Sequence, residues 1–226
     1  MFSNEIQNSI VPGSDPPCFK ERILMRIRRL RFVATLLIFC CVFAGAALAG
    51  EIKGDVTAQG MRSPEGIVVY VDTIAGKTFT PPKEHAVMDQ KKLMFMPHVL
   101  PVLKGTTVDF LNSDSVGHNV YWPSISGNKK LSHNLGTWPQ GVTKSFTFDE
   151  IGAAPLLCNV HPEMSAYVVV TPTPYFAVTN AKGEYTIKDV PPGTYTLKAW
   201  SEQGKPVEQA VEVTGAAVTA NLTVHR

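Results

Sequence analysis

Strong net charge, helical periodicity and pairable cysteines are all scarce in this 226-residue chain, and each shortage removes a class of protein. A formal charge of +2 is too small for the basic face of a nucleic-acid binder. With 18% charged and 44% hydrophobic residues, the chain is neither a disordered polymer nor a multi-span membrane protein. No capped helical pattern persists beyond two turns, so strands carry the fold. Nucleophile–base pairs, phosphate loops and paired carboxylates are missing as well, and enzymatic activity is not expected. Glycine and proline are plentiful, together about 15% of the chain against roughly 12% in average usage, as a turn-rich β protein requires.

The charge is unevenly placed. Residues 50–226 hold 15 basic and 16 acidic groups, so the basic excess belongs to the first 49 positions. There, a basic cluster at 26–31 precedes 17 uncharged apolar residues at 32–48, and the run ends in Ala47-Leu48-Ala49. This is the three-part pattern of a secretory signal peptide, read here as residues 25–49, with Gly50 the first mature residue. The apolar run is short for a membrane span, so no integral span is expected after cleavage and the expected location is periplasmic. Residues 1–24 read as an over-extended start or a disordered segment ahead of Met25. Of the four cysteines, Cys18, Cys40 and Cys41 precede residue 50 and only Cys158 follows it. One cysteine cannot form an internal disulfide, and a lone thiol in an oxidising compartment needs either an occupant or a buried apolar setting.

From Gly50 onward, alternating or β-branched runs recur at 67–71, 98–102, 107–111, 144–148, 166–170, 184–187, 194–199, 207–213 and 218–224, separated by turn signals such as Lys104-Gly105 and Pro191-Pro192-Gly193. The expected class is all-β, built as sandwiches. Residues 122–143 read as a long polar loop able to shape a surface. Pro172 and Pro174 mark a boundary near 172–175.

Around the surviving cysteine the chain reads Leu157-Cys158-Asn159-Val160-His161-Pro162-Glu163-Met164, and His118-Asn119 lies forty positions earlier. Two imidazoles, a thiolate and a thioether are the His₂Cys set with a weak axial Met that defines a blue-copper site. If Cys158 ends one strand and Met164 begins the next, the tight loop between them aims three side chains at one centre, while His118 arrives from another strand.

These residues resemble the cupredoxins of plastocyanin and amicyanin type over residues 76–172. The resemblance includes VLKGTTVDFLNSD before the first histidine, SFTFDEIG before the cysteine and AYVVV after the loop. It implies a Greek-key sandwich holding one type 1 copper, with His118, Cys158 and His161 equatorial, Met164 axial and Asn119 tying the ligand loops together. Leu156, Leu157 and Val160 would form the apolar surround. It also implies single-electron transfer with redox partners such as a c-type cytochrome or a periplasmic dehydrogenase, docking near His161. Two positions depart from the family pattern: Ala153-Ala154-Pro155 lacks the usual aromatic, and Gly117 stands where proline is common. The G-x-Y-x-I…V-P-P-G-T-Y-x-L pattern at 183–197 resembles the carboxypeptidase regulatory-like domain, a small Ig-like sandwich. Residues 50–75 look like its opening strands, which predicts a discontinuous domain of 50–75 with 173–226. A contiguous 51–172 domain followed by a C-terminal module is the simpler alternative.

Two other functions stay open on sequence. One is a periplasmic copper chaperone or resistance protein with the same ligands. The other is a metal-free surface or carbohydrate-binding module, prompted by the Ig-like tail and by Trp122, Trp138 and Trp200. His85, His98, His133 and His225 are expected to be solvent or strand histidines, with His133 able to overhang the copper if its loop folds back. Met94 and Met96 alternate in an apolar stretch and are expected in the core. Glu163 is expected to face solvent.

Overall fold

The computed structural model describes residues 49–226. The signal-peptide reading, the 1–24 segment and Cys18, Cys40 and Cys41 lie outside the described residues, Ala49 excepted. The strands in chain order are β1 (Gly50–Gln59), β2 (Val68–Val71), β3 (Ala86–Gln90), β4 (Phe95–Met96), β5 (Val99–Leu103) and β6 (Thr106–Asn112). They continue with β7 (His118–Trp122), β8 (His133–Trp138), β9 (Thr143–Phe148), β10 (Gly152–Leu157), β11 (Ser165–Thr171) and β12 (Phe176–Val178). The chain ends in β13 (Glu184–Val190), β14 (Gly193–Trp200), β15 (Val207–Val213), β16 (Ala217–Thr219) and β17 (Leu222–His225). The described residues hold no α-helix, only a 3-10 turn at Lys129–Leu131. None of their helices is long and apolar enough to cross a membrane.

Four sheets make two sandwiches. In the smaller, β1 lies between β13 and β16 and also pairs with β17, and this sheet faces one of order β12-β2-β14-β15. Their shared core contains Ile52, Val69, Ile187, Leu197 and Val224, alternating with exposed polar residues as half-buried strands must. The larger sandwich stacks β5-β11-β10-β7-β8 on β4-β3-β6-β9. Its core runs from Met88 to Val170 and includes Phe110, Trp122, Phe148 and Leu156. Trp122 and Trp138 are both packed into it. A third cluster, Val68, Val99 and Val169 with Tyr70, Tyr167 and Trp200 against it, joins the two sandwiches. Beside it, His98 reaches the Ser165 carbonyl at 3.1 Å and the Glu202 carboxylate at 2.6 Å.

Two sequence expectations fail here. The 122–143 stretch is not all loop: its residues 133–138 are β8, antiparallel to β7, with His118 opposite Trp138 and His133 opposite Trp122. The backbone ladder formed with β7 makes that strand despite its polar sequence. Met94 and Met96 are not in the core. They are 50% and 46% exposed, because Phe95 takes the buried phase of this short strand and the opposite face of a strand points outward.

Candidate metal centre

His118 opens β7 and is fully buried. Cys158, 3% exposed, follows the last residue of β10, and buried Met164 precedes the first residue of β11. Leu157 and Ser165 are the final pair of the β10–β11 ladder, so residues 158–164 are the link of an antiparallel hairpin. Inside that link the Met164 N–H donates to the His161 carbonyl at 3.0 Å, which tightens the turn around Pro162. The result brings the His118, Cys158 and His161 ligand atoms within 4.8 Å of one another. The two imidazole Nδ1 atoms face each other at 3.0 Å. Met164 shares the core cluster that contains Cys158.

Asn119 binds the two ligand segments. Its N–H donates to Cys158 Sγ at 3.4 Å, and its side-chain oxygen accepts the Asn159 N–H at 3.4 Å. Its amide nitrogen donates to Asn134 Oδ1 at 2.9 Å, so β8 also steadies the site. Trp138, across the ladder from His118, is buried with its indole N–H unpartnered, and Lys144 Nζ lies 5.2 Å from the centre of its ring.

Sequence reasoning missed Asp114. Its Oδ2 accepts from His118 Nε2 at 2.9 Å and from the Leu93 N–H at 2.9 Å, while Oδ1 accepts the Lys92 N–H at 2.6 Å. Burial works to raise this carboxyl, but the Leu93 and Lys92 amides and the His118 ring outweigh it and hold it below the usual carboxylate range. The available signal was an acidic residue in the loop four positions before the histidine. Asp114 holds the Nε2 side of the His118 ring, which leaves Nδ1 as the ring nitrogen that faces His161. The contact also holds an unusual turn. Lys91 and Met94 exchange both backbone hydrogen bonds, and Lys92 and Leu93 between them have φ of 58° and 56°. This is a two-residue hairpin of the kind that favours Asn-Gly, formed here by two side-chain-bearing residues at a cost of order 1–3 kcal/mol each.

Other candidates fall elsewhere. His133 does not overhang the centre; it stacks against Trp122 and Phe146, with ring centres 5.2 and 4.7 Å away. His85 pairs with Asp109 at 2.9 Å. Glu163 is exposed. Of the apolar surround, Leu156 is buried, but Val160 turns outward at 48% exposure.

The donor set fits copper: two imidazole nitrogens, one pre-oriented by a carboxylate, with a buried thiol at the same centre and a thioether at the end of the loop. Comparison with known proteins agrees. Residues 83–171 match the family model for copper binding proteins of the plastocyanin/azurin family. Residues 162–225 match that of the carboxypeptidase regulatory-like domain, and β1 and β2 complete the same sandwich from outside the match. Two segments of the chain are thus similar to two families, one of copper-binding proteins and one of carboxypeptidase regulatory-like domains. Among solved structures it is similar to the reduced form of a tryptophan-to-tyrosine mutant of amicyanin, 27% identical over 39% of this chain and 84% of that one, with a TM-score of 0.36. It is also similar to a purple cupredoxin from Nitrosopumilus maritimus, 26% identical over 38% of this chain and 99% of that one, with a TM-score of 0.34. No curated protein matches the chain.

Proposed function

We propose that the protein is an exported single-electron carrier, with copper held by His118, Cys158, His161 and Met164 in a domain of residues 76–172. Residues 50–75 and 173–226 form the accompanying sandwich in this reading. The observation that carries it is the convergence of one ligand atom each from His118, Cys158 and His161 within 4.8 Å, with the His118 ring oriented by Asp114. A copper ion bound there supplies a one-electron Cu(II)/Cu(I) couple. Cys158 would hold the ion as a thiolate, and the Asn119 N–H already donates to its sulfur at 3.4 Å. His118 keeps its orientation because Asp114 holds the far side of the ring. Leu156 and the core behind Cys158 keep water from the sulfur. His118, Cys158 and Met164 sit at the ends of paired strands and have little freedom to rearrange when the charge of the centre changes, while His161 lies in the link between two of them. His161 is the half-buried member of the set and the natural exit for the electron. Redox proteins such as a c-type cytochrome or a periplasmic dehydrogenase would meet it through a small, transient interface.

The test adds Cu(II) to the purified chain and to its Cys158→Ser variant and records visible and EPR spectra. An intense blue thiolate-to-copper band with narrow copper hyperfine splitting, both lost in the variant, is the expected result. A colourless protein, or a tetragonal copper signal that survives Cys158→Ser, overturns the reading.

A further inference from the structure

The hairpin between β3 and β4 is built for display. Of the nine large hydrophobics exposed among the described residues, Leu93, Met94 and Met96 fall within four consecutive positions. Lys91 and Lys92 precede them, both exposed and outside every ion pair among the described residues. The tip does not relax into an ordinary loop. Lys92 and Leu93 are kept in left-handed backbone by the carboxylate of Asp114, which accepts both of their N–H groups. That same carboxylate contacts His118, whose ring meets His161 with centres 4.8 Å apart. The tip is thus a rigid, cationic and apolar projection two side chains from the electron's exit. Rigidity matters because a pre-ordered contact surface loses less entropy on binding, and lysines around an apolar centre speed encounter with a surface of opposite sign.

We propose that the 91–96 hairpin is a docking element for a redox protein whose contact face is apolar at its centre and rimmed with carboxylates. The proposal rests on the electron-transfer reading above. Lys91 and Lys92 steer and orient the partner, Leu93, Met94 and Met96 form the dry contact, and Asp114 keeps the tip in its docking shape.

The experiment titrates the isotopically labelled chain with a c-type cytochrome of strongly negative net charge and follows the amide resonances, a readout independent of copper. Shifts centred on residues 91–96, weakening as salt rises, are the expected result. Lys91→Glu with Lys92→Glu should reduce affinity at low salt at least tenfold, while a strongly basic cytochrome should bind the wild-type chain weakly and the variant better. Shifts located elsewhere, or an affinity indifferent to the double charge reversal, overturn the proposal. Binding through the same residues to phosphatidylglycerol vesicles, with none to the acidic cytochrome, also overturns it and makes the tip a membrane contact. The blue band, recorded separately on each variant, reports on the copper reading alone, so failure of one reading is not mistaken for failure of the other.

Discussion

The two sandwiches place their polar groups very differently. The smaller buries hydroxyls that all have partners: Tyr185 donates to the Ala220 carbonyl, Tyr195 to the Pro191 carbonyl at 2.9 Å, and Thr179 accepts the Ile67 N–H at 2.9 Å. The larger encloses Gln90, Asn112, His118 and Asn119, and every buried side-chain atom without a partner among the described residues belongs to it: Asp89 Oδ1, Gln90 Oε1, Thr106 Oγ1 and the Trp138 indole nitrogen. Its strained tip and its buried carboxylate–histidine contact sit at the same end. The larger sandwich thus carries the candidate site and the unpartnered polar atoms, while left-handed backbone at a side-chain-bearing residue occurs in both, at Lys92 and Leu93 in the larger and at Asp189 in the smaller.

That contrast can be broken by experiment. Leu197 is fully buried in the smaller core, so Leu197→Ala should destabilise the protein by about 2–5 kcal/mol in denaturant unfolding and leave the blue spectrum of the folded protein unchanged. A changed spectrum would mean that the two cores are not separable. Asp114→Asn acts in the other direction. It keeps one acceptor oxygen but removes the charge behind His118, and copper affinity measured by competition should fall about 10–100-fold. An unchanged affinity would reduce Asp114 to a turn anchor. Tyr185→Phe, the mildest change, leaves the buried Ala220 carbonyl without its donor and should cost about 1 kcal/mol of stability with no effect on copper binding.

Much of this was legible beforehand. The β-branched alternation of 107–111, 166–170 and 207–213 became β6, β11 and β15 with ends shifted by a residue at most, because each run has one face in a core. The candidate quartet stood out for a chemical reason, since a cysteine, two histidines and a methionine at those spacings have few other uses, and the structure brings His118, Cys158 and His161 together. What escaped was structure imposed from outside the local sequence. β8 reads as polar loop because only Trp138 in it is buried and the rest of its order comes from pairing with β7. Met94 and Met96 look like core until the turn that precedes them fixes which face is inward. Asp114 escaped because its role depends on two amides that lie more than twenty residues earlier in the chain.

The pairing of β1 has a consequence for the order in which the chain acquires its shape. Gly50–Gln59 hydrogen-bonds to β13, β16 and β17, and the entire core from Met88 to Val170 is encoded between it and those partners. During synthesis β1 is made well before the strands it pairs with, and the closure entropy grows with the length of flexible chain to be gathered. Collapse of the intervening sandwich shortens that distance: β2, β5 and β11 meet through Val68, Val99 and Val169, so the ends of the larger body are drawn toward the place where β1 must pair. The copper-site sandwich thereby acts as a fold-dependent splint for its companion, and slow maturation of the larger body delays the smaller one however well its own strands match.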